Sequence, residues 1–327
     1  MLSIGSYTPE GRFFLAPMEG VTRTPFRVLC RRRGASLVTT DMIDADTFCG
    51  IADVRGVEQA IREQIDPHDE DTPLVIQLGG GDPTTLVRAA SILEPYAVII
   101  DLNAGCPTGK TFERGGGCTL MNEPERLYRI VRALRDALTK PFTVKLRKGW
   151  DSPQAVAIAR ELETLGVDGI TVHPRTRTQR YSDRADWAYA RDVKRAVRIP
   201  VTLSGDVTSV RSAHEANRIS RCDYLMIGRA ARYDPSIFED LRRGIDVGKD
   251  SRRVIRDFEE WLELFERSPR RRLVDIRERA IWTVSGATNA KELKRRIGIR
   301  DDRDAMIALV RDARFPNRLK ESGTRSF

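Results

Sequence analysis

The chain is predicted to be an α/β protein: a closed (β/α)8 barrel of the TIM type, followed by a small all-helical C-terminal domain. Two observations predict it. Eight short, β-rich apolar runs alternate with amphipathic stretches over about the first 240 residues, the count of a closed barrel. The alternation then stops, and only helical patterns follow. An open doubly wound sheet is the runner-up, but no G-x-G-x-x-G follows the first run.

The expected strands are Phe13–Pro17, Leu37–Met42, Leu74–Gly79, Val98–Asn103, Phe142–Arg147, Ile170–His173, Val201–Ser204 and Tyr224–Ile227. Between them, 3.6-residue periodicity predicts helices over Pro25–Arg33, Pro83–Leu93, Pro124–Leu138, Pro153–Leu165, Trp187–Ala196 and Val210–Ile219. Several begin with Pro, whose missing N–H is harmless in a first turn. After about Ile245, helices are expected over Val254–Phe265, Val274–Val284, Asn289–Arg296 and Asp302–Asp312, punctuated by Pro269 and Gly298. The domains are therefore expected at 1–245 and 246–327.

At 327 residues and 40% hydrophobic, the chain can bury a large core. No run approaches the roughly 18 apolar residues of a membrane helix, and Met1–Phe13 lacks the order of a signal peptide, so no membrane partner and a cytoplasmic location are expected. Five scattered cysteines without C-x-x-C spacing suggest reduced thiols, with neither disulfides nor a metal site. The net charge is +9, and residues 249–327 hold 21 Lys/Arg against 14 Asp/Glu, or +7 of it. A basic quarter on a nearly neutral body fits a polyanion such as RNA, or else a solvated Arg-rich surface.

In a barrel, the residues at the strand C-termini share one mouth. Here these are Ala16-Pro17-Met18, Gln77, Asn103 with Cys106 beyond it, Lys145-Leu146-Arg147, His173 with Arg175 and Thr176, Ser204-Gly205-Asp206, and Gly228-Arg229. A thiol between Gly105 and Pro107 stands out. The glycines 115–117 that follow would let a flat ligand or an RNA strand approach the backbone. Gly205 and Gly228-Arg229 occupy the place where barrels commonly hold phosphate, and Gln77 and Lys145 suit the edge of an isoalloxazine ring.

On these residues the chain resembles the tRNA-dihydrouridine synthases. The resemblance runs from Ala16 to about Arg229. It rests on Ala-Pro-Met at 16–18, Asn-x-Gly-Cys-Pro at 103–107 with its glycine run, Lys-x-Arg at 145–147, and His-x-Arg-Thr at 173–176 with Tyr181 and Asp186-Trp187 downstream. It implies an FMN flavoprotein, an oxidoreductase that reduces the C5–C6 double bond of particular tRNA uridines to dihydrouridine with electrons from NADPH. It further implies FMN contacts at Pro17, Met18, Gln77, Lys145, His173, Ser204, Gly205, Asp206, Gly228 and Arg229. The chain departs from the family at Ser204 (usually Asn), Pro174 (usually Gly) and Asp41 (usually Glu).

Reduction of uracil needs a hydride at C6 and a proton at C5, and Cys106 is the expected general acid. Asn103 is expected to hold the uracil edge, with Arg147 and Lys145 offsetting charge on the enolate oxygen. Arg175, Thr176 and Tyr181 are expected to hold the extruded nucleotide, Tyr181 by stacking. The basic tail, with Arg270–Arg272 and Lys291, Lys294, Arg295 and Arg296, would grip the RNA body of a monomeric enzyme. The alternative is a flavin-dependent reductase of a free pyrimidine or an enone.

Overall fold

The computed structural model describes residues 2–316. Its strands are β1 (Phe13–Leu15), β2 (Leu37–Thr39), β3 (Ile43–Asp44), β4 (Leu74–Gly79), β5 (Ile99–Ala104), β6 (Phe142–Gly149), β7 (Gly169–Thr176), β8 (Val201–Ser204) and β9 (Tyr224–Ile227). All pair in parallel in chain order, and β1 pairs with both β2 and β9, while β2 pairs with β4. The sheet is thereby closed. β3 continues the line of β2 along β4: Val38 pairs with Leu74 and Thr39 with Val75, then Ile43 with Leu78. Eight strand positions thus form the barrel.

Strand side chains alternate between faces, and the two faces here differ in chemistry. On β5, Ile100, Leu102 and Ala104 are buried in the main apolar core, where the outer ring of helices packs. The alternate residues Asp101 and Asn103 are buried but polar. Lower in the lumen the interior is apolar, with Ile4, Phe14, Leu37, Val75, Ile99, Tyr224 and Met226 in one cluster. The N-terminal segment closes that end: Ile4 and Tyr7 exchange backbone hydrogen bonds, and the Tyr224 hydroxyl donates to the carbonyl of Leu2. Polar side chains are left for the other end.

Helix starts follow local chemistry. Asp82, Asp186 and Ser209 cap the helices Pro83–Leu93, Trp187–Ala196 and Val210–Ser220 through their side chains. The helices Ala45–Arg55 and Val57–Gln64 lie outside the periodicity-based expectation. In the first, the buried set Ala45, Phe48, Cys49 and Ala52 has helical spacing, but the exposed Val54 on the other face blurs the pattern.

After the barrel come helices Ser251–Arg267, Leu273–Thr283, Ala290–Gly298 and Arg303–Arg311. The first packs on the barrel helix Thr24–Arg32. The seam is ionic. Arg33 pairs with Asp257 at 2.8 Å, Arg32 with Glu260 at 2.9 Å, Arg23 with Asp275 at 2.7 Å and Arg253 with Asp240 at 2.7 Å. No helix among the described residues is long and apolar enough to cross a membrane.

Candidate active site at the C-terminal mouth of the barrel

Across β4, β5 and β6, alternation turns Gln77, Asp101, Asn103 and Thr143 into the lumen, where they join in one hydrogen-bonded row. Thr143 donates to Asp101 Oδ1 at 2.6 Å, Gln77 Nε2 to Asp101 Oδ2 at 2.7 Å, and Asn103 Nδ2 to Gln77 Oε1 at 2.8 Å. Asn103 Oδ1 accepts the backbone N–H of Gly105 at 3.0 Å and of Cys106 at 2.8 Å. Burial pushes the Asp101 carboxyl up to about 6, against those two donors and the charge of Lys145. Cys106 is half-buried, and its Sγ donates to the carbonyl of Thr108 at 3.2 Å. Cys30, Cys49, Cys118 and Cys222 are buried, and none of the five is in a disulfide.

Lys145 projects from β6. Burial, and then the nearby Arg147, lower its ammonium to about 8. Arg147 is buried and faces protein: it donates to the carbonyls of Gly105 at 2.8 Å and Thr176 at 3.0 Å, tying the β5 loop to the end of β7. Arg175 is similarly enclosed, donating to His173 Nε2 at 3.1 Å, to Asp206 Oδ2 at 2.6 Å and to the carbonyl of Asp183. Thr176 donates its N–H to Gln179 Oε1 at 2.8 Å. Burial, then the surrounding cations, hold His173 well below the usual imidazole value. The ring is neutral, and since Nε2 accepts from Arg175, Nδ1 carries the proton. Tyr181 is 56% exposed, with Arg229 stacked 4.8 Å and Arg147 5.8 Å from its ring centre and His173 at 5.9 Å.

Beyond β8 the chain turns through Gly205 (φ +142°) and Asp206 (φ +58°). A side chain at Gly205 would meet Ala185 Cβ at 3.0 Å and His173 at 3.2 Å. Burial opposes ionisation of Asp206, but the Ala185 N–H and the guanidiniums of Arg175 and Arg229 outweigh it, so its carboxyl lies below the usual range. These residues open onto one cavity of about 1580 Å³. Pro17, Met18, Lys145, His173, Tyr181, Ser204, Gly205, Asp206, Gly228 and Arg229 all line it. Gln77, Asn103, Arg147, Arg175, Thr176 and Cys106 do not; their side chains lie in the polar row and in the loops beside it.

The structure corrects one expectation. The glycines 115–117 are filled by protein, not open to a ligand: a Cβ would lie 2.6 Å from the Arg126 guanidinium at 115, from the Gly80 carbonyl at 116 and from the Cys106 carbonyl at 117. Their smallness packs the Cys106 loop against the β4 loop. Trp187 has a role that its place in the sequence does not reveal: its indole donates to the Gly205 carbonyl at 3.0 Å. Asp41, a departure from the family pattern, holds the loop after β1, accepting from Gly20 N at 2.9 Å and Thr22 Oγ1 at 2.7 Å. A capping residue such as Asp186 signals a helix start, but carbonyl acceptors leave no mark in a sequence.

Comparison with solved structures returns the same architecture in a 2-naphthoyl-CoA reductase bound to 2-naphthoyl-CoA (TM-score 0.53, 12% identity, 75% of this chain and 52% of that one). A morphinone reductase mutant in complex with tetrahydroNAD is similar (TM-score 0.52, 13% identity, 74% and 89%). These share the fold. Sequence likeness goes further. A probable tRNA-dihydrouridine synthase of Rickettsia conorii is 33% identical over 98% of this chain and 100% of its own length. A tRNA-dihydrouridine synthase B of Pseudomonas aeruginosa is 32% identical over 95% of each. The dihydrouridine synthase (Dus) family model matches residues 14–313, nearly the whole described barrel and tail, and the chain belongs to that family.

Proposed function

We propose that this chain is a tRNA-dihydrouridine synthase, an oxidoreductase that uses FMN and NADPH to reduce the C5–C6 double bond of particular tRNA uridines. One observation carries the reading: a half-buried thiol, Cys106, lies on the loop after β5, close enough to act electrostatically on Lys145, which with His173 and Arg229 walls the cavity. A flat anionic group suits that wall. The Lys145 ammonium makes no hydrogen bond or ion pair among the described residues, and it lines the cavity together with Ala16, Met18 and Gly228. Arg229 gives one N–H to Asp206 at 3.0 Å and keeps others.

Pro17, Met18, Lys145, His173, Ser204–Asp206 and Gly228-Arg229 would hold the FMN, which when bound supplies the hydride for C6 of uracil, while Gln77, expected as a further contact, is buried in the polar row behind them. Cys106 holds the proton for C5 at Sγ, its S–H resting on the Thr108 carbonyl until it is turned toward the substrate. Asn103 keeps one amide hydrogen for a uracil carbonyl, its oxygen being committed to the Cys106 loop. Lys145 offsets negative charge building on the uracil oxygen. Tyr181 offers an exposed face for a base drawn out of the RNA stack. Arg147, Arg175 and Thr176 serve the substrate through the loops they hold. Residues 1–245 carry the chemistry, and 246–327 bind the tRNA body.

The test is to reduce the flavin-loaded protein anaerobically, add unmodified tRNA and follow flavin absorption. Rapid reoxidation with dihydrouridine in the RNA is expected. A flavoprotein that ignores tRNA but is reoxidised by free uracil or an enone would replace this reading with the small-molecule one.

A further inference from the structure

The polar row on β4–β6 has only one consistent orientation, because its two ends are of fixed character. An ionised carboxylate can only accept, so Gln77 must turn its nitrogen to Asp101 and its oxygen to Asn103. That oxygen can only accept, so Asn103 turns its nitrogen to Gln77 and its oxygen to the N–H groups of Gly105 and Cys106. The backbone donors demand the same orientation from the opposite end. We propose that Asp101 is a positioning residue of this site: through Gln77 it fixes the amide of Asn103 and so holds the Cys106 loop in register with the barrel mouth. The inference rests on the functional reading above for its kinetic consequences, but not for its geometry.

Asp101 is well suited to the part. It is 5% exposed, its two carboxylate oxygens accept from Thr143 and Gln77, and it sits two residues before Asn103 on the same face of β5. The groups facing it are Gln77 from β4 and Thr143 and Lys145 from β6, of which only Lys145 titrates. If Asp101 takes up a proton, its hydroxyl becomes a donor. Gln77 is then held from one end of the row only, by the backbone donors acting through Asn103, and a flip that gave its oxygen to the new hydroxyl would set its NH2 against that of Asn103. With its carboxyl raised to about 6, that loss falls within an accessible pH range.

The variant is Asp101→Asn, close to the parent in shape but without the charge. Three readouts are taken: tRNA reduction against pH, KM for tRNA, and the rate at which iodoacetamide alkylates each cysteine, mapped by mass spectrometry. Expected are a kcat lower by ~10- to 100-fold, the loss produced by misplacement of about 1 Å, with KM within about twofold. The acid limb near pH 6 disappears, and Cys106 is alkylated several-fold faster while Cys30, Cys118 and Cys222 stay protected. Parental kcat, acid limb and Cys106 rate would overturn the proposal.

If Asp101→Asn instead exposes the buried cysteines, Thr143→Val decides. Without the Thr143 donor the Asp101 carboxyl rises further, so the acid limb must move to higher pH; an unmoved limb overturns the proposal. The alkylation arm needs neither flavin nor tRNA. A parent that failed to reduce tRNA would refute the functional reading while leaving the Cys106 comparison intact.

Discussion

Cys106→Ala takes the thiol from the barrel mouth but leaves the backbone N–H that Asn103 accepts. Loss of a proton donor lowers the reduction step by ~100-fold or more, while tRNA affinity stays within about twofold. Single-turnover reoxidation and a filter-binding titration separate the two, and parental turnover would end the general-acid assignment. Lys145 yields a pH prediction. Its ammonium is lowered to about 8, so it is charged below that value and loses its charge as pH rises through it. Reduction is therefore expected to fall above about pH 8. In Lys145→Met the limb should vanish, with lower activity at all pH values; a limb that persists belongs to another group.

Between strands, function depends on loops that are held from below. Gly117, at φ +56°, has space for no Cβ, because the Cys106 carbonyl would lie 2.6 Å from it. Gly117→Ala must push the Cys106 loop away or leave the left-handed region, at a cost of about 1–3 kcal/mol. The midpoint of denaturant unfolding should fall accordingly, and kcat should fall more than stability alone accounts for. Equal stability and equal kcat would mean that the loop is not held there. The β5 and β7 ends share a second tie in Arg147, whose donors reach Gly105 and Thr176. Spacing alone singles out Lys-x-Arg but presents both residues to the substrate; the structure turns Lys145 to the cavity and Arg147 to protein carbonyls.

For the molecule as a whole, the tail's charge divides in two. Arg253 is buried against Asp240, both side chains 7% exposed, and removing one partner of such a pair costs roughly 3–5 kcal/mol. Arg253→Met should lower stability by that order, read by urea unfolding, without altering the salt dependence of RNA binding. Arg272 pairs with Asp275 and Arg270 donates to the Glu63 carbonyl, so much of the triplet Arg270–Arg272 is tied to protein. Arg271, Lys291 and Arg296 are exposed and make no ion pair among the described residues. Changing these three to Ala should weaken tRNA binding and reduce the salt slope by about 0.7–0.9 for each phosphate no longer neutralised. An unchanged slope would place the RNA elsewhere.

The barrel was legible in the chain alone, because eight apolar runs with helical stretches between them have few ways to close. So was part of the mouth, since strand C-termini meet wherever such a barrel closes: ten of the expected residues line the cavity, nine at strand ends and Tyr181 on the loop after β7. The helices Ala45–Arg55 and Val57–Gln64 were not legible, the apolar pattern of the first being blurred by exposed Val54. Nor was it legible which polar side chain faces the cavity and which faces a carbonyl. Folding in three dimensions makes Arg147 and Arg175 ties between loops, packs the glycines 115–117 shut, and lines up Asp101, Gln77 and Asn103 in one row. A hydrogen bond is set by distance and orientation between segments far apart in the chain, and its commonest acceptor, the backbone carbonyl, is identical at every residue.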